Sequence, residues 1–185
     1  MFEQIWTRML RAVQLDVALY NEVEADDNAT TEALIVVVLT AICAAIGTAI
    51  SGEGNLFSGV LGSISSVVVG WIISSATIYL VGVYLFGGTA TFGELLRTLG
   101  YASSPGVLRI LTFIPWLGGL IGFLVAIWTL ATNVVAAREA LDVDTTKAVL
   151  TCIIAFVVWM VALFALGIIF GGAVLGLGAL AGLFG

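Results

Sequence analysis

Residues 54–93 read GNLFSGVLGSISSVVVGWIISSATIYLVGVYLFGGTATFG, which is a run of forty residues without a charged side chain. Three more uncharged runs cover residues 33–52, 110–137 and 148–185. A helix that crosses a bilayer takes about 20 apolar residues. The chain is only 10% charged, whereas a water-soluble domain usually carries about 25%. The sequence therefore predicts an all-α integral membrane protein that crosses the bilayer several times.

The composition excludes several kinds of functional site. The 185 residues include no histidine, which rules out a Ser–His–Asp triad, a histidine acid–base site and a histidine-ligated metal. Cys43 and Cys152 lie inside apolar runs and are interpreted as small buried hydrophobic residues. The formal net charge of −6 argues against nucleic acid as a partner, because nucleic acid binds basic patches. The sequence also contains no phosphate-binding loop and no catalytic carboxylate pair, so we expect neither an enzyme nor a cofactor.

Five membrane-spanning helices account for the apolar runs. Four have full length, at residues 34–50, 59–86, 117–137 and 147–170. The third is short, because residues 105–114 give only about 15 Å of α-helix, half of a bilayer. It is either a half-helix or the end of a helix that begins near Leu99 and kinks around Pro105. Just before it, Thr91 and Glu94 have the spacing of a capping box, which starts a helix.

The N-terminal residues 1–33 are predicted to form an amphipathic helix and an acidic linker. Over residues 2–20, one helical face is apolar and carries Phe2, Ile5, Trp6, Met9, Val13, Val17 and Tyr20. Arg8 and Arg11 fall on the opposite face, and Asp16 interrupts the apolar one. This pattern favours a helix that lies in the membrane interface, or one whose apolar face packs on the rest of the protein. The acidic residues within 22–32 are interpreted as a solvated connector, with attraction of a cation or a basic partner as the alternative.

The distribution of basic residues predicts the orientation in the membrane. Residues 34–170 form the membrane domain, and residues 171–185 form an apolar, Gly-rich C-terminal tail. With five crossings and the N-terminus in the cytoplasm, five basic residues lie on the cytoplasmic side: Arg8, Arg11, Arg97, Arg138 and Lys147. The predicted external loops and the tail carry none, which agrees with the positive-inside rule. We therefore expect a protein of the cell membrane with a cytoplasmic N-terminus and an external C-terminus.

Small residues in the second span predict close helix packing. Gly62, Ser66, Gly70 and Ser74 recur every four residues along that span. Such a stripe allows another helix to approach closely within lipid. The partner is either another helix of this chain, or a helix from a second copy or from another membrane protein. Lipid covers the remaining surface of the spans.

Three polar residues inside the apolar runs are candidates for a functional site. Arg109 is the only charged residue in the third and fourth spans. It either binds a phosphate headgroup or an acidic substrate, or extends its side chain to the cytoplasmic interface. Asn133 follows Thr129 by one helical turn, so both present polar groups on one side of the fourth helix. They either form hydrogen bonds to neighbouring helices or belong to a polar pathway or a lipid contact.

One short motif resembles a known family. Gly100, Tyr101 and Pro105 fit the Gly-Tyr-x-x-x-Pro motif of the Yip-one (Ypt/Rab-interacting protein) domain family. The sequences on either side, TFGELLRTL at 91–99 and FIPWLG at 113–118, also resemble prokaryotic members of that family. The motif and the two flanking sequences together are more specific to this family than any one of them alone.

The resemblance implies more about the fold than about the activity. It covers roughly residues 20–165 and implies five membrane helices with a cytoplasmic N-terminus. Eukaryotic relatives are membrane-trafficking factors that bind prenylated Rab-type GTPases and help to shape membranes. They carry an Asp-Leu-Tyr-Gly-Pro motif ahead of the first helix, where this chain reads DNATTEAL at residues 27–34. Recruitment of a GTPase is therefore not implied.

The sequence thus predicts a non-enzymatic membrane protein that organises or shapes the bilayer, or acts as a trafficking-type adaptor. The amphipathic segments 2–20 and 91–101 are expected to wedge lipid headgroups apart on the cytoplasmic leaflet, which biases curvature. One alternative is a small transporter or permease-like subunit that uses the broken third helix and Arg109. Another is a structural subunit of a larger membrane complex or of a homo-oligomer, which docks through the Gly/Ser stripe.

Overall fold

The computed structural model describes residues 2–50, 56–162 and 164, except for the side chains of residues 56–59. The described residues form α-helices and one 3₁₀ helix and contain no β-strand, which confirms the predicted all-α class. The elements are α1 (Phe2–Val13), α2 (Val17–Ala25), α3 (Ala29–Ile50), α4 (Leu56–Phe86), α5 (Phe92–Ala102), the 3₁₀ helix (Ser104–Phe113), α6 (Gly118–Leu141) and α7 (Thr145–Ala162).

The chain runs back and forth between two ends of a helix bundle. Charged residues gather at one end, which we name the charged end and which contains the start of α3, the end of α4 and the turn between α6 and α7. In that turn, Asp142 Oδ2 accepts a hydrogen bond from Thr89 Oγ1 at 2.8 Å, just after the end of α4. Ile50 and the turn at residues 114–117 lie together at the opposite end. α3, α4 and α6 therefore connect the two ends.

The third crossing of the bundle is made by α5 and the 3₁₀ helix, which follow α3 in the same direction. A β-carbon placed on Gly100 would lie 2.6 Å from Ala33 Cβ, and one placed on Gly106 would lie 3.2 Å from Thr40 Cβ. A 3₁₀ helix rises about 2.0 Å per residue, so its ten residues cover about 20 Å instead of about 15 Å. This greater rise compensates for the small number of residues in the crossing.

A change of helix type occurs where the sequence predicted a kink. α5 begins at Phe92 rather than near Leu99, and it ends at Ala102. The chain then continues as a 3₁₀ helix, with Pro105 in its first turn, where a missing N–H costs little. The expected α-helix that kinks around Pro105 is therefore wrong.

Four α-helices of the described chain are long and apolar enough to cross a membrane, which confirms a multi-pass membrane protein. They are Ala29–Ile50, Val60–Phe86, Gly118–Leu141 and Thr145–Ala162. The third crossing is not among them, so the count of five membrane spans stays a prediction. α3 begins five residues before the expected start at Leu34, and α6 ends four residues after the expected end at Ala137. The end of the fifth predicted span and the predicted tail, residues 171–185, lie outside the described residues.

The prediction of one amphipathic helix over residues 2–20 is wrong. α1 ends at Val13 and α2 begins at Val17, and between them Leu15 adopts a left-handed conformation with φ of 60°. Asp16 explains the break, because its side chain accepts a hydrogen bond from Ala18 N at 3.0 Å and so caps α2. The carboxylate that interrupted the apolar pattern in the sequence is thus the start signal of a second helix.

The expectation that residues 91–101 lie on the membrane surface is also wrong. α5 lies between α3, α4 and α6, and seven of its eleven residues are buried. Trp71 Nε1 of α4 donates a hydrogen bond to Leu96 O at 3.0 Å. The predicted capping box is confirmed, with Glu94 N donating to Thr91 Oγ1 at 3.3 Å and Thr91 N donating to Glu94 Oε2 at 2.8 Å. α5 is therefore a core helix with an ordinary N-terminal cap.

Buried side chains concentrate in the half of the bundle nearer the charged end. The largest fully buried ones include Leu19, Tyr20, Leu95, Tyr101 and Leu141. The other half exposes large apolar side chains on α6 and α7, which we name the apolar belt: Leu120, Phe123, Leu124, Ile127, Ile153, Phe156, Val157 and Met160. A continuous exposed apolar surface of this kind marks contact with lipid.

Candidate functional site

Two adjoining cavities lie between the long helices. The polar cavity has a volume of about 230 Å³ and lies between α3, α4, α6 and the 3₁₀ helix. The lateral cavity has a volume of about 500 Å³ and lies between α4, α6 and α7. Both are lined by Gly70, Ser74, Arg109 and Asn133. Thr129 lines the polar cavity and Ser66 the lateral one, so residues that the sequence suggested for two separate roles meet in one place.

Arg109 lies far from the charged end. A β-carbon on Gly47 would collide with the backbone oxygen of Arg109, and Gly47 is eighteen residues, or about 27 Å of helix, beyond the start of α3 at Ala29. Asn133 lies fifteen residues, or about 22 Å, along α6 from its start. Gly47 is only three residues from the end of α3 at Ile50, so the backbone of Arg109 lies near the end of the bundle opposite the charged end. Asn133 is eight residues, or about 12 Å, from the end of α6 at Leu141 and lies nearer the charged end. The cavities extend between these two levels, and the charged end lies beyond the reach of the Arg109 side chain.

The polar residues of α6 differ in their contacts. Thr129 Oγ1 donates to Val125 O of its own helix at 2.8 Å. Thr132, which the sequence did not suggest, is fully buried and donates to Ala102 O at 2.6 Å, so it links α6 to the end of α5. Asn133 has no hydrogen bond to another described residue and lines both cavities. Its amide is thus available to a molecule inside them.

The Gly/Ser stripe of α4 borders open space within the described chain. Gly62 and Ser66 are exposed, and a β-carbon on Gly62 or Gly70 would meet no described atom of another segment within 4 Å. Close helix contact occurs instead at Gly82, where a β-carbon would lie 2.5 Å from Leu141 Cδ1. A role of the stripe in packing against a second copy or another protein stays a prediction.

A buried arginine organises the charged end. The side chain of Arg8 in α1 is only 6% exposed and contacts three carboxylates. Its Nη1 donates to Glu32 Oε2 at 2.6 Å, and its Nη2 donates to Glu22 Oε1 at 2.9 Å and to Asp26 Oδ2 at 3.1 Å. These four residues form the Arg8 cluster. The interpretation of the acidic segment as a solvated connector is therefore wrong, because its carboxylates bind α1 to α2 and α3.

The Gly-Tyr-x-x-x-Pro motif completes this cluster. Tyr101 is fully buried, and its hydroxyl donates to the same Glu32 Oε2 at 2.6 Å. The preceding Gly100 packs so closely on Ala33 that no side chain fits between α5 and α3. Pro105, also fully buried, begins the 3₁₀ helix that leads to Arg109. The motif thus holds α5 against α3 and connects the charged end to the cavities.

A second arginine of α1 neutralises the acidic segment further. Arg11 Nε donates to Asp16 Oδ2 at 2.7 Å, and Arg11 Nη1 donates to Glu22 Oε2 at 2.7 Å. These hydrogen bonds hold the pKa of both carboxyls below the usual range. Both acids are therefore fully ionised at neutral pH. Arg8 and Arg11 of α1 thus both form ion pairs with Glu22 of α2.

Glu24 is the exception among the acids of α2. Burial and repulsion from Glu94 and Asp142 raise its pKa to about 7. Arg97 opposes this shift; its Nη2 donates to the backbone oxygen of Glu24 at 2.6 Å and its Nη1 donates to Asp27 Oδ1 at 3.0 Å. The charged end thus contains one carboxyl that changes its protonation state near neutral pH.

Comparison with known proteins assigns the chain to a family. The family model described as the Yip1 domain matches residues 20–169. The chain belongs to the Yip1 domain family. No curated protein and no solved structure matched the chain. Membership in Yip1, together with the four apolar helices, supports a multi-pass membrane protein with a non-enzymatic, membrane-associated role.

In this Yip1 chain, α1 precedes the matched region but packs on it. The Arg8 cluster joins Arg8, outside the match, to Glu22, Asp26 and Glu32, inside it. Sequence reasoning missed this cluster because Arg8 lies on the polar side of an amphipathic pattern, where an arginine is usually solvated. The available signal was Tyr101, since a buried tyrosine hydroxyl needs a hydrogen-bond partner. Within the described residues, no group of three acids or cysteines is placed to hold a metal.

Proposed function

We propose that this Yip1-family protein shapes or organises the bilayer by inserting α1 into the headgroup region of the cytoplasmic leaflet. The observation that carries the proposal is the exposed apolar stripe of α1. Phe2 is 75% exposed, Trp6 55% and Leu10 45%. On the other side of the same helix, Ile5 and Met9 are buried in the core. One side of α1 therefore packs on the protein, as one of the two sequence alternatives expects, and the exposed apolar side supports contact with the membrane interface.

The position of α1 beside the apolar belt supports insertion into lipid. Trp128 Nε1 of α6 donates a hydrogen bond to Val13 O at the end of α1. Phe123, Leu124 and Ile127, which precede Trp128 on α6, are exposed members of the apolar belt. Trp128 lies ten residues, or about 15 Å, from the start of α6. The end of α1 therefore lies against the apolar, lipid-facing surface of that helix.

The Arg8 cluster makes α1 a fixed part of the protein rather than a free amphipathic helix. A free helix can leave the interface, and its insertion is lost when its apolar area is small. Here α1 is held by three carboxylates, on α2, on α3 and in the turn between them, so the stripe keeps its position relative to the bundle. Each copy would thus displace headgroups on one leaflet only, and such asymmetry biases curvature.

The test is vesicle shape after reconstitution of the full chain. The double exchange Phe2→Ser and Trp6→Ser removes most of the stripe without touching the Arg8 cluster. Gln4→Ser, on an exposed polar part of the same helix, is the matched control. Electron cryomicroscopy of proteoliposomes should show small or tubular vesicles for the native protein and the control, and larger spherical vesicles for the double variant. Equal vesicle shapes for a folded double variant and the native protein would refute the proposal.

A second candidate function, transport by a small carrier, is favoured by the two cavities. Their shared residue Arg109 follows the change of helix type at residues 103–104. Discontinuous helices with polar groups inside a membrane domain are typical of transporter binding sites. Release of a trapped anionic dye from the same proteoliposomes distinguishes the two candidates, because a membrane-shaping protein leaves the dye inside.

A further inference from the structure

Arg109 differs from the other arginines of the described chain in its surroundings. Each of the others contacts at least one carboxylate: Arg8, Arg11, Arg97 and Arg138. Arg109 has no ion pair and no side-chain hydrogen bond to a described residue, and it is exposed to the two cavities. Arg109 lies on a segment that is surrounded by membrane-spanning helices, and a guanidinium exposed to lipid rather than water is costly unless an anion accompanies it. The missing anion is thus the first indication of a ligand.

The walls of the cavities supply hydrogen-bond donors around Arg109 and no competing acid. The guanidinium offers five N–H groups, the amide of Asn133 two more and the hydroxyl of Ser74 one. Asn133 and Ser74 line both cavities together with Arg109. No aspartate or glutamate is among the lining residues of either cavity. This donor set suits the oxygens of a phosphate group, which accept several charge-assisted hydrogen bonds at once.

The remaining walls are apolar and lead outward to lipid. Trp71 and Val67 line the polar cavity, and Leu130, Phe156 and Trp159 line the lateral one. Leu130 is 57% and Phe156 63% exposed, so the rim of the lateral cavity is part of the lipid-facing surface. A molecule bound here needs a polar group at Arg109 and an apolar part that extends between α6 and α7. The volume of about 500 Å³ lies within the range of small-molecule sites.

We propose that Arg109, Asn133 and Ser74 bind the phosphate group of an anionic phospholipid whose acyl chains leave through the lateral cavity past Leu130 and Phe156. The site is separate from α1 and is independent of membrane shaping. The lipid enters from the bilayer and brings the negative charge that the bundle lacks around Arg109. The chemistry recognised is a phosphate with an apolar tail, so a free phosphate ion lacks the part that the apolar walls contact.

The probe is a short-chain phosphatidic acid, titrated into the purified full chain in neutral detergent. Trp71 and Trp159 line the cavities, so quenching of tryptophan fluorescence by a bromine-labelled version of this lipid reports occupancy. Binding should saturate for the native protein, and Arg109→Gln should weaken it about tenfold or more, because a hydrogen bond to a charged group is lost. Arg109→Lys should retain part of the affinity. Arg138→Gln removes an arginine from the charged end and should leave binding unchanged.

Three results would overturn the assignment. One is binding by Arg109→Gln that equals that of the native protein. Another is equal affinity for a short-chain phosphatidylcholine, in which the choline cation balances the charge of the phosphate and leaves the headgroup neutral. The third is displacement of the lipid by inorganic phosphate at similar concentration, which would indicate a free-anion site. Should Arg109→Gln fail to fold, Asn133→Leu supplies the same comparison, since it removes two donors from the cavity and keeps the side-chain volume.

Discussion

Exchange of Arg8 for methionine should release α1 from the bundle. The main loss concerns Glu32, whose side chain is only 13% exposed, compared with 29% for Asp26 and 44% for Glu22. Removal of one partner of a buried ion pair costs about 3–5 kcal/mol, and pairs with exposed acids contribute at most about 1 kcal/mol each. Because Tyr101 continues to donate to Glu32, we expect the lower value, about 3 kcal/mol.

This free energy corresponds to roughly a hundredfold shift between docked and released α1. Amide hydrogen exchange, measured by mass spectrometry on the protein in nanodiscs, should therefore show residues 2–13 exchanging about a hundred times faster in Arg8→Met. Arg11→Gln is the matched control, because its side chain and both its partners are about a third exposed or more. Its effect should stay below about fivefold.

A second exchange separates the charge from the packing. In the double variant Arg8→Met and Glu32→Gln, the buried carboxylate is no longer left without a cation, so most of the lost protection should return. The reasoning is refuted if Arg8→Met exchanges no faster than Arg11→Gln. It is also refuted if the double variant is as unprotected as the single one, because loss of packing would then explain the effect.

Two further predictions concern α5 and pH. Gly100→Ala brings a β-carbon to 2.6 Å from Ala33 Cβ and should destabilise the protein by about 1–3 kcal/mol. Gly93→Ala in the same helix meets only the end of a flexible side chain and should be neutral or stabilising. Melting curves in detergent that give Gly93→Ala the lower melting temperature would contradict this expectation. For Glu24, the folded state binds the proton more tightly than the unfolded state, whose pKa is 4.5, because burial and nearby carboxylates raise the folded pKa to about 7. Its contribution to stability is therefore present at low pH and is lost as pH rises from about 4.5 to 7. In Glu24→Gln, the melting temperature should fall less over this pH range than in the native protein. Glu3→Gln, on the exposed side of α1, should behave like the native protein. An unchanged fall of melting temperature in Glu24→Gln would contradict the role assigned to Glu24.

The membrane class and most helix positions could be predicted because lipid imposes a simple rule. A helix that crosses a bilayer must be apolar over about 20 residues, and four helices of the described chain meet this condition. Capping chemistry is equally local, so Thr91 and Glu94 identified the start of α5 correctly. The Gly-Tyr-x-x-x-Pro motif gave the family, which the match over residues 20–169 confirmed.

The errors arose where the outcome depends on contacts between distant segments. Asp16 was judged as an interruption of one helix, although it begins another and binds Arg11. Arg8 and Glu32 are 24 positions apart and meet only when α1, α2 and α3 fold together. No periodicity within α1 shows that its arginine is buried. The sequence also did not distinguish an α-helix from a 3₁₀ helix after α5, because the two types share the same apolar composition.

The sequence identifies most of the polar residues that line the cavities. It does not show that these residues lie close together in the fold. Arg109 and Asn133 stood out because polar groups are rare in apolar runs. Ser74 and Gly70 were assigned to packing on the basis of spacing alone. That all four line the same space depends on how α4, α6 and the 3₁₀ helix are rotated relative to one another. Such rotations are set by packing, which a single sequence does not specify.

The 3₁₀ helix restricts how this segment can evolve. It repeats every three residues, so Gly106, Arg109 and Thr112 stand in one column, and all three contact α3. Insertion or deletion of one residue would turn every later position by about 120° and shift it by about 2 Å. The contacts of this column would then be lost together. Related chains should therefore tolerate length variation in the turn at 114–117, and keep the number of residues in 104–113 constant.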